Sequence, residues 1–304
     1  MKISYTFILG IVILWSIPVF SQFDTDAVHL EITHIPNSNL NNADAKAHLT
    51  EVDFQSYMPT IKIGKKIKIN GLINYRLYDY NFDSYDPEFN NYPDNMHHFK
   101  LMILYRQILD ENWTFYAAPR VNIRTDWKEP IHNEDMFPSF TGVFVKDVIK
   151  NPNYKYGIGI NVNNNNGKFR ILPALYFQYK KDNMKISAFI PTKASISFAK
   201  EGYSYGFGYH AESNLTHLNL SEDPTINPND ITYLRNMNIF IYPTYAKDLG
   251  SNIWLSFKAG VTVSRLYEQY NSNYDRISEF YNDSFKPNFF LNVGVSYKVD
   301  SDKK

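Results

Sequence analysis

A period of two runs through most of the chain. Between Lys66 and Tyr80 the apolar Ile67, Ile69, Ile73, Tyr75 and Leu77 fall on one parity, and Lys66, Lys68, Asn70, Asn74 and Arg76 on the other. Successive side chains of a strand point to opposite faces, so this pattern predicts a strand with one apolar and one wet face. It returns at Tyr154–Asn163, where Tyr154, Tyr156, Ile158, Ile160 and Val162 alternate with Lys155, Gly157, Gly159 and Asn161. It returns at Tyr203–Glu212, where Tyr203, Tyr205, Phe207 and Tyr209 alternate with Ser204, Gly206, Gly208 and His210, and again at Ile253–Val263 and Phe289–Val299.

Fourteen strand candidates follow: 27–35, 47–60, 65–80, 97–109, 112–125, 139–149, 154–163, 167–181, 183–191, 194–200, 203–215, 231–246, 252–266 and 287–299. Their connections alternate in length. Ile63-Gly64, Asp110-Glu111, Asn151-Pro152-Asn153, Lys181-Asp182, Lys200-Glu201-Gly202 and Asp248–Ser251 are short, and every long connection (81–96, 126–138, 216–230, 267–286) belongs to the other set. Membrane barrels combine short periplasmic turns with long outer loops. A soluble sandwich has no reason to sort its loops this way. The expected fold is therefore all-β, an antiparallel transmembrane β-barrel of about fourteen strands, with twelve as the alternative because 194–200 is short. Pro119, Pro173, Pro191 and Pro243 lie inside or at the ends of these strands. Proline removes a ladder hydrogen bond, so in a barrel without edges they are expected at bulges or strand ends near a rim.

The first residues predict export from the cytoplasm. Lys2 precedes the apolar run Phe7–Trp15, Pro18 breaks it, and Val19-Phe20-Ser21 has the form of a signal-peptidase site, with the cut expected near Ser21/Gln22. The expected organisation is a signal peptide over 1–21, a short leader over 22–26, a barrel over 27–299 and a polar tail over 300–304. No second apolar run approaches the length of a membrane helix. There is no cysteine, which excludes disulfides, thiolate metal sites and a lipidated cysteine. Lys and Arg total 31, as do Asp and Glu, and this balance gives no basic excess for nucleic acid.

The alternating strands, with Tyr57-Met58-Pro59, Leu172-Pro173-Ala174-Leu175 and Phe189-Ile190-Pro191, resemble the DUF6268 family of Bacteroidota over roughly 26–299. The resemblance implies an exported outer-membrane barrel of unknown function and brings no catalytic residue to carry over. One feature departs from barrel proteins generally: many end on an aromatic residue used in assembly, whereas here Tyr297-Lys298-Val299 is followed by Asp300-Ser301-Asp302-Lys303-Lys304.

The polar parity of a barrel faces its lumen. It collects Arg76, Lys100, Arg106, Arg120, Arg124, Lys155, Arg170 and Lys258 against Glu31, Glu51, Asp53 and Glu212. A basic excess inside a pore favours anions, and Arg120 and Arg124 share one strand face. The expected function is a passive or weakly selective pore for small hydrophilic solutes, leaning towards anions. The alternative is a non-conducting structural or partner-binding barrel whose interior charges pair among themselves. A lipid-modifying barrel enzyme is a third reading. It would draw on His210 with Ser213, or on His97 and His98 with Ser84, but none of these has a recognisable spacing, and no catalytic residue is assigned. No metal or cofactor is expected: His97 and His98 are adjacent on a strand and point to opposite faces, and Asp83-x-x-Asp86-x-Glu88 lacks the glycine of a calcium loop.

The long loops are acidic, with Asp83, Asp86, Glu88 and Asp94 in the first, Asp126, Glu129, Glu134 and Asp135 in the second, Glu222, Asp223 and Asp230 in the third, and Glu268, Asp275, Glu279 and Asp283 in the fourth. They read as a solvated surface, or as sites bridged by divalent cations to lipopolysaccharide. Trp113 and Trp254 follow short turns in the manner of an interfacial belt, although Trp254 has lumen parity. Asn163–Asn166 with Gly167 reads as a hairpin turn. The partners expected are outer-membrane lipid and lipopolysaccharide, the barrel-assembly machinery and a small solute, with no nucleic acid.

Overall fold

A computed structural model describes residues 26–39, 45–84, 95–148, 153–164, 168–220, 230–277 and 284–298. The expected signal peptide, the polar tail and the loop acids Asp86, Glu88, Asp94, Glu222, Asp223, Glu279 and Asp283 lie outside the described residues. The strands are β1 (Asp26–Asn39), β2 (Ala45–Tyr57), β3 (Ile61–Ile63), β4 (Ile67–Ser84), β5 (Asn95–Ile108), β6 (Trp113–Thr125), β7 (Met136–Asp147) and β8 (Tyr154–Asn163). They continue with β9 (Arg170–Lys181), β10 (Met184–Ile190), β11 (Lys193–Lys200), β12 (Tyr203–His217), β13 (Tyr233–Gly250), β14 (Ile253–Tyr270), β15 (Ser284–Phe285) and β16 (Asn288–Lys298).

Neighbours pair antiparallel, β1 pairs with both β2 and β16, and β14 joins β13 to β16, so the sheet closes on itself. All strands except β3 and β15 stand in this ring, which makes a closed antiparallel barrel of fourteen strands. β3 folds back on the start of β4 through the turn at Gly64, and β15 adds two residues beside β14. Neither was expected from the sequence, because two or three residues carry no periodicity. β13 and β14 also run four residues further than the alternation indicates. Tyr267–Tyr270 pair with Tyr233–Asn236, so the strand ladder consumes the start of the predicted loop.

The alternation sorts as expected. Ile158, Ile160, Phe207, Val261, Leu291, Val293 and Val295 are exposed on the outside, while Lys155, Gly157, Gly159, Gly206 and Gly208 share the inner parity. Outward aromatics gather towards both ends. Near the short turns Tyr154 lies against Tyr179, and Tyr203 against Tyr205 and Tyr245. Near the long loops Trp127 lies against His97 and Tyr75. Trp113 shares the outer parity beneath Lys146. Trp254 pairs opposite Ser296 on the inner parity, with the Lys298 ammonium 3.8 Å from its ring centroid. Among the short turns, Asp110 accepts the amides of Asn112 (2.7 Å) and Trp113 (2.8 Å), and these bonds hold its carboxyl below the ordinary aspartate range.

The prolines mark breaks in the wall. The β5–β6 pairing lapses between Met102–Arg120 and Tyr105–Ala117 around Pro119, and the β13–β14 pairing lapses between Ile241–Val261 and Thr244–Lys258 around Pro243, in both cases without a change of register. Pro173 lies on β9 beyond the last residue paired to β10, and Pro191 is in the β10–β11 turn.

Candidate functional site

The interior is crossed by contacts between opposite walls. Five ring strands separate β12 from β6 in one direction, and five separate it from β4 in the other. Yet Glu212 of β12 meets the guanidinium of Arg76 on β4, and Asn214 Nδ2 donates to the Tyr78 hydroxyl at 3.1 Å. Thr216 Oγ1 lies 2.7 Å from His98 Nε2 of β5, and His217 forms a parallel bridge to Thr125 of β6. Asn219 continues the seam, with Nδ2 donating to Asp126 Oδ1 at 2.7 Å. The upper part of β12 therefore divides the lumen in two.

One half, bounded by β13, β14, β16, β1, β2 and β4, is filled towards the long loops by an apolar cluster. Ile35, Leu49, Tyr78, Leu234, Tyr267 and Phe290 are buried there. Arg265 is buried beside them, donating to Ser38 Oγ at 2.8 Å with its guanidinium 4.4 Å from the Phe285 ring centroid. The other half holds open space. A cavity of about 590 Å³ is lined by Arg106, Lys155, Lys185, Lys193 and His210 together with Tyr116, Tyr176, Phe189 and Tyr242. A second cavity of about 340 Å³ shares Lys155 and Gln178 with it and reaches the short turns at Asn153 and Asp182.

The predicted lumen charges divide between these halves. Arg76 gathers three of the four acids: Nε is 3.0 Å from Glu51, Nη2 is 2.5 Å from Asp53, and Nη1 meets Glu212. The fourth acid, Glu31, accepts Lys258 Nζ at 2.7 Å on both oxygens. All four inner acids of the sequence pattern are thus held by two of the eight bases. Arg120 Nε donates to Ser139 Oγ at 2.7 Å. Arg124 lies over the Phe137 ring at 5.3 Å and donates to the Leu215 carbonyl at 3.5 Å. Lys155 pairs with Asp147 at 2.8 Å, and Arg170 is exposed opposite Asn163 at the top of β9. Among the described residues no carboxylate lies within ion-pair distance of Lys100, Arg106, Arg120 or Lys193. Arg106 Nε is buried without a hydrogen-bond partner.

Sequence reasoning missed Lys185, Lys193 and the Asp147 partner. The signal was present: Lys185 and Ser187, then Lys193 and Ser195, continue the inner parity of β9 and β12 through their cross-strand pairs.

The reading of the loop acids as a solvated surface fails for three of them. Asp126, Asp135 and Glu268 are buried. Asp135 accepts the His132 amide at 2.7 Å and faces His217 Nδ1 at 2.9 Å, and Glu268 accepts Arg235 Nη1 at 2.8 Å. These acids secure the long-loop end because the strands and the short helical turn 133–135 fold back over it. His210 faces the cavity, whereas Ser213 is on the opposite parity and accepts Arg235 Nε. His97 and His98 point to opposite faces, one to Tyr75 and the other to Thr216.

A closed antiparallel barrel with an apolar exterior and a basic inner compartment is the class of protein these features define. A family model described as "Domain of unknown function (DUF6268)" matches residues 17–298, and the chain belongs to that family. Comparison with curated proteins finds no significant match. Among solved structures the chain is similar to an outer membrane channel from Pseudomonas putida F1, with 11% identity, 91% of this chain and 97% of that one covered, and a TM-score of 0.46. It is also similar to the NanC porin, with 8% identity, 90% and 100% covered, and a TM-score of 0.38. A third is LpxR from Salmonella typhimurium, with 9% identity, 89% and 100% covered, and a TM-score of 0.34.

Proposed function

We propose that this chain is an outer-membrane barrel that passes small anionic solutes through the half of its lumen bounded by β5–β11. The outward apolar face flanked by aromatic residues supports the membrane location. The single observation carrying the anion preference is the distribution of carboxylates. Arg76 and Lys258 hold all four acids of the alternating pattern, so the larger cavity is lined by bases without an acid among the described residues, and in this half Asp147 beside Lys155 and Asp182 at the short-turn end offset them. Such a surface lowers the cost of bringing an anion into a narrow space and raises it for a cation. Lipopolysaccharide and the barrel-assembly machinery are the partners this location entails.

Planar-bilayer conductance of the refolded mature protein across a KCl gradient tests the proposal. Steady unitary conductance with an anion-selective zero-current potential is expected. Insertion without conductance would overturn the channel and favour a structural barrel. The specific observation behind that second reading is the seam from Arg76–Glu212 to Asn219–Asp126, which joins opposite walls near the long loops.

A further inference from the structure

The barrel wall is complete near the short turns and incomplete near the long loops. β9 pairs with β10 only from Leu175 to Lys181, and β12 pairs with β11 only from Tyr203 to His210. Among the described residues, Arg170–Ala174 of β9 and Ala211–Thr216 of β12 have no strand paired beyond these points on the side facing the β10–β11 hairpin, and His217 bridges instead to Thr125 of β6. One amide bond from Ala211 to the Thr192 carbonyl ends the pairing. β10 has 7 residues and β11 has 8, against 15 in β12 and 18 in β13. At about 3.3 Å per residue and a tilt of about 40°, such a hairpin climbs roughly 18–20 Å, while the apolar band of a membrane barrel is about 25 Å tall. Outward Tyr203 and Tyr205 near its foot mark the short-turn interface. The tip at Pro191-Thr192 therefore ends below the top of the apolar band.

The gap is a window. Its sill is Pro191-Thr192, its sides are β9 and β12, and the exposed pair Lys168–Asp275 (3.7 Å) links the β8–β9 connection to the loop after β14. Proline blunts strand edges, and Pro173 sits on the bare stretch of β9. Around the window Phe169, Ile171, Leu172 and Ile190 are exposed. Directly behind it Lys193, Phe189 and His210 line the larger cavity, which has no acidic lining among the described residues.

We infer that this window admits a single-chain anionic amphiphile, a long-chain carboxylate, from the outer leaflet into the basic cavity. Apolar side chains frame the entrance, where a hydrocarbon tail must pass. Bases stand behind it, where a carboxylate loses its water. The cavity volume suits one small ligand. The second cavity, sharing Lys155 and Gln178, leads on to the short-turn mouth. The inference rests on the outer-membrane reading above and does not require ion flux.

The test uses full mature protein in lipid nanodiscs and radiolabelled hexadecanoate. Saturable binding is expected, competed by neither acetate nor hexadecanol. Loss of one charge-assisted contact in Lys193→Gln should weaken it by about tenfold. Lys193 is exposed, and retained heat-modifiable gel mobility would show that the variant is folded. Equal competition by acetate would overturn the inference in favour of a site for hydrophilic anions. Equal uptake of hexadecanol, indifferent to Lys193→Gln, would reduce the binding to bilayer partitioning. The chain has no cysteine, so a nitroxide on Thr192→Cys reports the sill alone. Relaxation by oxygen exceeding that by a water-soluble nickel chelate is expected, and the reverse would place the tip in water and remove the window. A protein that conducts ions but binds no hexadecanoate fails this inference and keeps the channel. One that binds hexadecanoate without conducting does the opposite.

Discussion

Arg76 on β4 and Glu212 on β12 are in direct contact across the lumen, on strands that no backbone pairing joins. The same guanidinium holds Glu51 and Asp53. Removing it would leave three carboxylates, Glu51 buried and Asp53 and Glu212 half-buried, facing one another without this counter-charge. Arg76→Ala is therefore expected to lose about 3–5 kcal/mol, the range for breaking one side of a buried ionic network. Arg76→Lys should recover only part of this, because an ammonium cannot span three carboxylates as a planar fork does. Urea midpoints of the refolded protein, followed by heat-modifiable gel mobility, would measure the difference. Unchanged midpoints would mean that the opposite walls hold their positions without this contact.

The two halves of the lumen should respond differently to charge changes. Arg106→Glu or Lys193→Glu places an acid on the cavity whose described lining is free of acids. Either change should lower the anion-to-cation permeability ratio by about twofold or more. Removing Lys258 and Glu31 together (Lys258→Met with Glu31→Gln) deletes a pair whose charges already cancel, in the other half. That double variant should leave the zero-current potential where it was. An equal shift from both changes would place the conduction route elsewhere.

The fourteen ring strands were legible because each has one apolar and one polar face, a signal that needs no knowledge of neighbours. The prolines were only half legible. Their cost to a strand ladder is a local property, but the bare stretch of β9 that carries Pro173 emerges only once β10 is seen to stop at Ile190. The division of the lumen was not legible. Parity says that Glu212 and Arg76 both point inward, not that their strands lean together. Nor does parity show that Asp126 and Asp135 turn under the long loops, since loop residues follow no period. Lys185 and Lys193 were readable by parity, Lys185 within the expected strand 183–191 and Lys193 one residue ahead of the expected strand 194–200.

Gly159 tests how closely β7 and β8 approach. A Cβ there would stand 1.9 Å from the Gly142 carbonyl oxygen and 2.7 Å from Val143 Cα, both backbone atoms that cannot swing away. Gly159→Ala must push the two strands apart and is expected to cost about 1–3 kcal/mol, as overpacking does. Gly64 makes the contrast. Its φ is +61°, and a Cβ added there would meet nothing within 4 Å, so Gly64→Ala carries backbone strain alone. That strain amounts to about 1–2 kcal/mol. Gly64→Asn should lower that cost because asparagine enters this region more readily, whereas Gly159→Asn should be worse than alanine. Refolding yield and urea midpoints of the four variants would check the order.

Phe290 decides which half of the barrel carries the route. It is 3% exposed, meets the Phe240 ring edge-on at 4.9 Å and lies 5.9 Å from the Tyr242 ring, in the apolar cluster that fills the lumen between β13 and β4. Phe290→Ala removes a buried ring and should cost about 3–5 kcal/mol of stability. Its effect on conductance is the sharper reading. The cluster around it keeps Ile35, Leu49, Tyr267 and Phe285, so one missing ring leaves that half closed. Unitary conductance is therefore expected to stay at the wild-type value while the urea midpoint falls. A rise in conductance would mean that the apolar half gates the pore and that the basic cavity serves binding alone.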